Sequence, residues 1–555
     1  ASCLVGSEMC IRDRSKIYKL INKISIKKRS FFFIFSLYSI GFYFAKDYGI
    51  TWDEFFHRNH GKENLYYIAK NFNILKYFST SENIGDLKIG YLGYGAFFDS
   101  ISAIIEKVFS LDNDKAIFIM RHRLNFTFYF LGFFSFFLLI KTVFKSYGLA
   151  VFGSLFYLFN PRLFAHGFFN VKDSVGQALA ACALLPLYLT YKNKSYISSI
   201  VSGIICGIAI TTRIPIVIIP LLFILTLLAQ DLITHKKFIL KYKTLKVILV
   251  FLLSLVISLY LFWPIIWESP LLSFKKIFFN MKSFQWNSYN YFWGEYVKGT
   301  KSPWYYLPTW ILITVPIPFV LSFSIGIYTI IKNIYKTNLK NYSFQLFMLL
   351  SFLSPLILII FFNSTLYDGW RHVFFIYPFM AYIMILGLRH VLNIIDDKFK
   401  FNKTSIMLIL GLMTFIFPAK SIIQMHPHQQ VYFNFLAGQD PMNNFEGDYW
   451  GSSMKKGLEW ILENDNRDSI MIVCKSNMAK KNAKILDIKD SRRLNFKKMD
   501  LKEISYQGDY IITNYRGEAN LYSILKKVKI VPYDNEVFSI KLNEMKILSV
   551  FKQGD

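Results

Sequence analysis

Asp53 and Glu54 stand side by side in Gly49-Ile50-Thr51-Trp52-Asp53-Glu54-Phe55-Phe56-His57-Arg58, directly after an apolar run that ends near Ala45. Charged groups held at the edge of a bilayer are costly unless they bind or catalyse something. Other polar residues share that setting: Lys172 with Asp173, Arg213, and Asp368 with Arg371 and His372, each at the end of its own apolar run. Carboxylates and cations gathered at one interface, fenced by aromatics and open to lipid, suit a substrate with a charged head and a long hydrocarbon tail.

Positioning such groups requires membrane spans, and the composition supplies them. The chain is 54% hydrophobic, 18% aromatic and only 18% charged, which places it among polytopic membrane proteins rather than soluble ones. A net charge of +28 suits a nucleic-acid binder on its face, but Lys and Arg fall between apolar runs rather than in one patch, so no nucleic-acid partner is expected. Cys182 and Cys206 lie within apolar runs and Cys474 is alone, so neither a disulfide framework nor a metal spacing follows.

Residues 1–14, ASCLVGSEMCIRDR, resemble read-through of a sequencing adapter and are set aside from the fold. A basic lead and the apolar run Phe31 to Ala45 then read as an uncleaved first span. Between Asp47 and His122, Leu65, Ile68, Ala69 and Phe72, and then Phe97, Ile101, Ile104, Ile105 and Val108, recur at helical spacing. They predict two amphipathic helices lying in the interface plane. Further apolar runs at 124–144, 147–160, 174–191, 196–212, 214–230, 246–264, 309–331, 344–362, 373–390 and 404–422 bring the expected spans to about eleven.

The basic residues orient those spans. With the N-terminus in the cytoplasm, the inner loops hold clusters such as Lys236, Lys237, Lys241, Lys243 and Lys246, and the short outer loops hold only Arg162, Lys172, Arg213 and Arg371. That asymmetry puts the polar groups of the opening paragraph together on the outer face.

Five segments, in order, resemble the GT-C glycosyltransferase superfamily, in the bacterial branch similar to protein mannosyltransferases and aminoarabinose transferases. They are Trp52-Asp53-Glu54 behind the first span, NPRLFAHGFFNVKD (Asn160–Asp173), SPWYYLPTWILITVP (Ser302–Pro316), YDGWRHVFFIYP (Tyr367–Pro378), and HPHQQVYFN (His426–Asn434) followed by DYWG (Asp448–Gly451). The resemblance covers most of residues 30–455. It implies transfer of a sugar from a polyprenyl-phosphate donor to a glycan, lipid or protein acceptor at the outer face of a bacterial inner membrane. An acidic residue of the first outer loop acts there as general base in a single, inverting displacement. Asp53 is the expected base and Glu54 the alternative. Partial burial is expected to raise the pKa of Asp53 and strengthen it.

Each of these residues also has a plainer structural role. Asp53 suits a helix N-cap. Asp173 could orient the acceptor, share a divalent metal with Asp53, or cap the span that begins at Ser174; no cofactor is otherwise implied. Arg371 and His372, with Asp368 beside them, are placed either to hold the lipid phosphate or to anchor a span. Lys172 and Arg213 are phosphate ligands or snorkelling residues. Trp304, Tyr305, Tyr306 and Trp310 either stack on sugar or lipid or form an interfacial belt, and His426-Pro427-His428 reads as a loop.

The expected organisation is a membrane domain over 15–422 followed by a small outer-face α/β domain over 423–555. In the latter, Ser452 caps a helix carrying Met454, Leu458, Ile461 and Leu462, and β-like runs follow at 470–473, 485–488, 510–513, 537–542 and 547–551. No Gly-rich phosphate loop or nucleotide-sugar signature is present, which fits a lipid-linked donor. A transporter or flippase of lipid-linked sugars would share the spans but should show internal repeats and broken midplane helices. A polysaccharide polymerase or ligase would share the donor chemistry, and a receptor-like outer domain on a membrane stem is the non-catalytic alternative.

Overall fold

Backbone that crosses a bilayer must satisfy its own hydrogen bonds, so long apolar runs become helices. The computed structural model, which describes residues 28–73, 95–235, 241–282, 286, 288–336, 343–399, 403–474, 476–498, 508–516 and 535–553, is accordingly mostly helical. Residues 1–14 and most of the basic lead lie outside the described residues.

The chain runs through α1 (28–44), α2 (Glu54–Asn71), α3 (Phe97–Val108), α4 (Asp114–Phe144), α5 (Tyr147–Leu158), α6 (Pro161–Phe169), α7 (Asp173–Asn193), α8 (Tyr196–Thr212), α9 (Ile218–His235), α10 (Tyr242–Leu261) and α11 (Pro270–Lys282). The hairpin β1 (Tyr289–Phe292) and β2 (Glu295–Lys298) precedes α12 (Tyr306–Thr314), α13 (Ile317–Lys336), α14 (Ser343–Phe361), α15 (Tyr377–Phe399) and α16 (Lys403–Gln424). Among the described residues eight helical stretches, in α4, α7, α9, α10 and α13 to α16, are long and apolar enough to cross a membrane. The pair α5–α6, bent by 70°, makes a ninth when counted as one span, and α8 is a shorter apolar helix. With α1, these helices account for every apolar run in the sequence. The protein is a multi-pass membrane protein.

Packing is inside-out relative to a soluble bundle. Leu249, Leu253, Val256 and Ile257 of α10 are exposed, whereas Ser254 and Ser258 are buried, and Ser258 Oγ donates to the Ile204 carbonyl of α8 at 2.8 Å. Small residues bring the helices together: a Cβ on Gly387 of α15 would stand 1.9 Å from the Ser322 carbonyl of α13.

Two elements differ from the sequence reading near the site. The segment Asn160–Asp173 is not a loop. Asn160 accepts from Leu163 N–H, Pro161 occupies the first turn, and α6 forms. The run 309–331 is divided at Val315-Pro316, where Val315 is extended, as a residue before proline prefers.

Helices α2 and α3 exist as predicted, and both bury polar residues. The buried positions of α2 are Glu54, His57, His60, Gly61, Asn64 and Ala69, and those of α3 include Asp99, Ser102 and Glu106. Ile104 and Val108 are exposed. In α3, apolar residues directed outward and polar ones inward suit a helix with lipid on one side and a polar site on the other.

The C-terminal domain, expected on the outer face and called the outer domain for that reason, comprises α17 (Met454–Asn464), β3 (Ile470–Cys474), α18 (Met478–Ala483), α19 (Ile488–Arg492), β4 (Leu494–Lys498), β5 (Tyr510–Thr513), β6 (Glu536–Leu542) and β7 (Met545–Lys552). Its sheet order is β4-β3-β5-β7-β6, parallel over the first three strands and antiparallel over the last three. The run 485–488 is not a strand; Ile485 and Leu486 are buried below α18, and the edge strand is Leu494–Lys498, whose lysines disguise it. Ser452 does not cap α17, because its hydroxyl accepts from Gln430 Nε2 at 2.8 Å. Residues from Met425 to Trp450 pack into the membrane-domain core, and the second core begins at Met454.

Candidate active site

The loop bearing Asp53 is held from the outer domain. Asn482 of α18 accepts from Ile50 N–H at 2.8 Å and donates to the Ile50 carbonyl at 3.0 Å. Lys481 donates to the Trp52 carbonyl at 3.1 Å, and Lys455 to the carbonyls of Lys46 and Asp47, each at 3.0 Å. A Cβ at position 49 would lie 2.2 Å from the Ser452 carbonyl, so glycine alone permits this approach. Trp52 packs on the outer-domain core, with Lys481 over its ring.

The two adjacent carboxylates have different surroundings. Glu54 is fully buried. Its Oε1 accepts from Thr51 N–H at 2.7 Å and Thr51 Oγ1 at 2.9 Å, and its Oε2 pairs with His122 Nε2 at 2.8 Å. Both oxygens are occupied by protein partners, so Glu54 braces the loop from a fully buried position. Glu54→Ala is expected to cost about 3–5 kcal/mol, the cost of breaking a buried charged pair, read as a lower melting temperature of the purified protein.

Asp53 occupies the position before α2 but makes no cap hydrogen bond. Its side chain, 42% exposed, lies with Oδ2 3.8 Å from Arg371 Nη1. Burial pushes its pKa up, but Arg371, Lys172 and His57 outweigh this and hold it below the ordinary carboxylate value. The expected rise is therefore reversed: the carboxylate is kept ionised by its cations.

The same Arg371 nitrogen lies 3.2 Å from Asp173 Oδ2, and Arg371 Nη2 lies 3.1 Å from Asp368. One guanidinium thus joins carboxylates from three separate segments. It is sandwiched between the Tyr367 and Trp450 rings, 4.8 and 4.9 Å from its centre. Asp173 also accepts from Arg213 and from Asn170 Nδ2, and Asp368 from Arg516 at 3.0 Å. A guanidinium nitrogen stands between Asp53 and Asp173 where a shared metal would sit, and among the described residues neither belongs to a ligand cluster. The shared-metal reading of Asp173 is set aside.

The turn that presents Arg371 follows from its sequence. Asp368 and Gly369 both have positive φ, +55° and +76°, for which Asp-Gly is suited. Asn290 Oδ1 accepts from Asp368 N–H at 3.2 Å, and Tyr306 Oη from Gly369 N–H at 3.2 Å. Tyr306 is buried and braces this turn rather than stacking on a ligand, whereas Tyr305 and Trp304 are exposed. His372 stands edge-on to Tyr367 at 4.5 Å, and its Nδ1 is a buried atom with no hydrogen-bond partner among the described residues.

Lys172 is buried beside Asp173, and its pKa is lowered to about 8 by burial and by Arg213, against the opposing pull of Asp173 and Asp53. Lys172, Arg213, Arg371 and Arg516 face three carboxylates, Asp53, Asp173 and Asp368, leaving an excess of one positive charge. Asp173 and Asp368 are buried and committed to these cations. Asp53 is the carboxylate that remains accessible.

No family model and no curated protein matches the chain. Solved structures of similar fold include ArnT from Cupriavidus metallidurans in the apo state, at 10% identity and TM-score 0.47 over 93% of this chain and 97% of that one. The archaeal oligosaccharyltransferase AglB from Archaeoglobus fulgidus, in complex with an inhibitory peptide and a dolichol-phosphate, aligns at 11% identity and TM-score 0.47 over 88% of this chain and 70% of that one.

Arg516 and Asn482 carry no signal of their own in the sequence. They lie in the C-terminal domain, 148 and 432 positions from Asp368 and Ile50, which they hold, and no local pattern ties them together.

Proposed function

We propose that the chain is a GT-C-type glycosyltransferase of a bacterial inner membrane. It moves a hexosyl or pentosyl group from a polyprenyl-phosphate donor to a glycan, lipid or protein acceptor at the outer, periplasmic face, with the N-terminus in the cytoplasm. The observation that carries the reading is the position of Arg371 Nη1, 3.8 Å from an exposed carboxylate and 3.2 Å from a buried one. Base and phosphate-binding cation are thereby adjacent, as transfer between a hydroxyl and a lipid phosphate requires.

In this scheme Asp53 accepts the proton of the acceptor hydroxyl as that oxygen attacks the anomeric carbon. The bond to the phosphate oxygen breaks on the opposite face, and Arg371, with Lys172 and His372 nearby, stabilises the departing phosphate charge. Asp173 and Asp368 orient Arg371. The exposed Ile104 and Val108 of α3 offer an apolar surface for the polyprenyl tail.

Purified protein incubated with radiolabelled polyprenyl-phosphate sugars and membrane acceptors should incorporate label, and nucleotide sugars should give none. Absence of transfer from every lipid-linked donor would favour the transporter.

The pKa of Lys172 adds a pH dependence. Its folded value of about 8 lies below the ordinary lysine value of about 10.4. Between those values the unfolded chain binds more protons, so this residue makes stability rise with pH through that window. Donor binding moves the opposite way, since a cation is lost above about pH 8. The donor KM is expected to rise between pH 7 and 9, and Lys172→Gln to flatten that rise.

A further inference from the structure

One buried polar cluster touches the transfer scheme only through the charge of His57 near Asp53. His57 and His60, one turn apart on α2, both direct Nδ1 at a single oxygen of Asp99 on α3, at 2.8 and 2.9 Å. All three residues are almost completely buried, and their ligand-type atoms lie within 4.8 Å of one another.

We propose that His57, His60 and Asp99 form a binding site for a divalent transition-metal ion of the zinc class, which fastens α2 to α3. Two imidazoles and one carboxylate are a donor set suited to zinc or cobalt and poorly suited to magnesium or calcium. The spacing of three residues puts both rings on one helical face. Tetrahedral coordination with bonds of about 2.0–2.1 Å separates ligand atoms by about 3.3 Å, so the ring nitrogens need withdraw from Asp99 by only about half an ångström.

The surroundings are those of a braced site. Arg121 Nη2 holds the other Asp99 oxygen at 3.3 Å, and Asn64 Nδ2 donates to the His60 carbonyl at 2.8 Å. Gly61 lets the helices close at this point, since a Cβ there would lie 2.2 Å from the Asp99 carbonyl. A cavity of about 10 Å³, lined in part by His57, Asp99 and Lys172, adjoins the cluster. That is about the space of one water, which supplies a fourth ligand.

The competing account is a purely hydrogen-bonded His-Asp-His group paired with Arg121. The test uses the full chain in detergent, stripped with chelator, reloaded with Zn²⁺ or Co²⁺ and freed of excess ion by gel filtration. One equivalent of metal per chain is expected, with the cobalt form showing the visible absorption of a four-coordinate ion and chelator lowering the melting temperature. His60→Ala should retain less than about a tenth of the metal and lose the chelator effect. Asp53→Asn should bind as wild type does, which separates this site from the transfer scheme. If His60→Ala fails to fold, the cobalt spectrum and chelator response of wild type decide. Absence of stoichiometric metal in wild type, full retention in folded His60→Ala, or loss in Asp53→Asn would each overturn the assignment.

Discussion

Asp53→Asn is expected to lower sugar transfer by about 10²–10⁴-fold while leaving the protein folded and able to bind its donor. The substitution keeps shape and removes only the capacity to accept a proton. Its stability cost should be small, because the side chain is 42% exposed and its one ion pair is long at 3.8 Å, worth about 0–1 kcal/mol. Donor KM should stay level or fall, since one negative charge leaves the neighbourhood of the phosphate cations. The contrast with Glu54 is diagnostic. Of two adjacent carboxylates, one variant loses chemistry and keeps stability, and the other loses stability. Transfer rates and melting temperatures of Asp53→Asn and Glu54→Ala, measured together, check both halves.

Arg371→Gln is expected to damage fold and function together. The guanidinium contacts Asp53, Asp173 and Asp368, and its removal leaves Asp173 with Arg213 and Asp368 with Arg516 as their remaining ion-pair partners among the described residues. Breaking a buried charged network of this kind costs about 3–5 kcal/mol. Arg371→Lys is the more informative variant: it keeps the charge but cannot reach three carboxylates from one planar fork. For that protein the donor KM should rise at least tenfold, by loss of about 1.4 kcal/mol or more of phosphate interaction. Whatever transfer remains should have its acid limb moved to higher pH. Asp53 is held ionised chiefly by Arg371 acting against burial, so weakening that cation lets the carboxylate pKa rise. Stability follows the same sign: with its folded pKa depressed, Asp53 contributes stability above its unfolded value, and that contribution is lost as pH falls through the folded one.

Much of this arrangement was legible in the sequence because membranes impose few options. Apolar length gave the spans, and the placement of Lys and Arg drew attention to one interface. Asp53, Asp173, Asp368 and Arg371 then stood out as charges at span ends, and the fold brings these four together. What the sequence concealed depended on partners distant along the chain. Glu54 looks equivalent to Asp53 until His122 and Thr51 occupy its oxygens. Tyr306 looks like a belt residue until its hydroxyl meets Gly369. The pKa of Asp53 falls where burial alone would raise it, because Arg371, Lys172 and His57 outweigh burial. Apolar periodicity found α2 and α3, but it does not reveal the polar residues, Glu54, His57, His60, Asp99 and Glu106, that the two helices bury. The strand Leu494–Lys498 escaped because an edge strand rich in lysine resembles a loop.

The outer domain also gains a role that its composition did not suggest. Asn482, Lys481 and Lys455 hold the backbone of residues 46–52, and Arg516 reaches Asp368. The domain thus fixes the loop that carries Asp53, as the proposed transfer needs, since reacting groups must be positioned within fractions of an ångström.

The most direct test of the central claim is the anomeric configuration of the product, read by proton NMR of the glycoside formed from a polyprenyl-phosphate sugar of defined anomeric form. If Asp53 acts as general base in a single displacement, the configuration is inverted. Retention would require the carboxylate to attack the sugar itself and pass through a covalent intermediate, and would contradict the role assigned to Asp53.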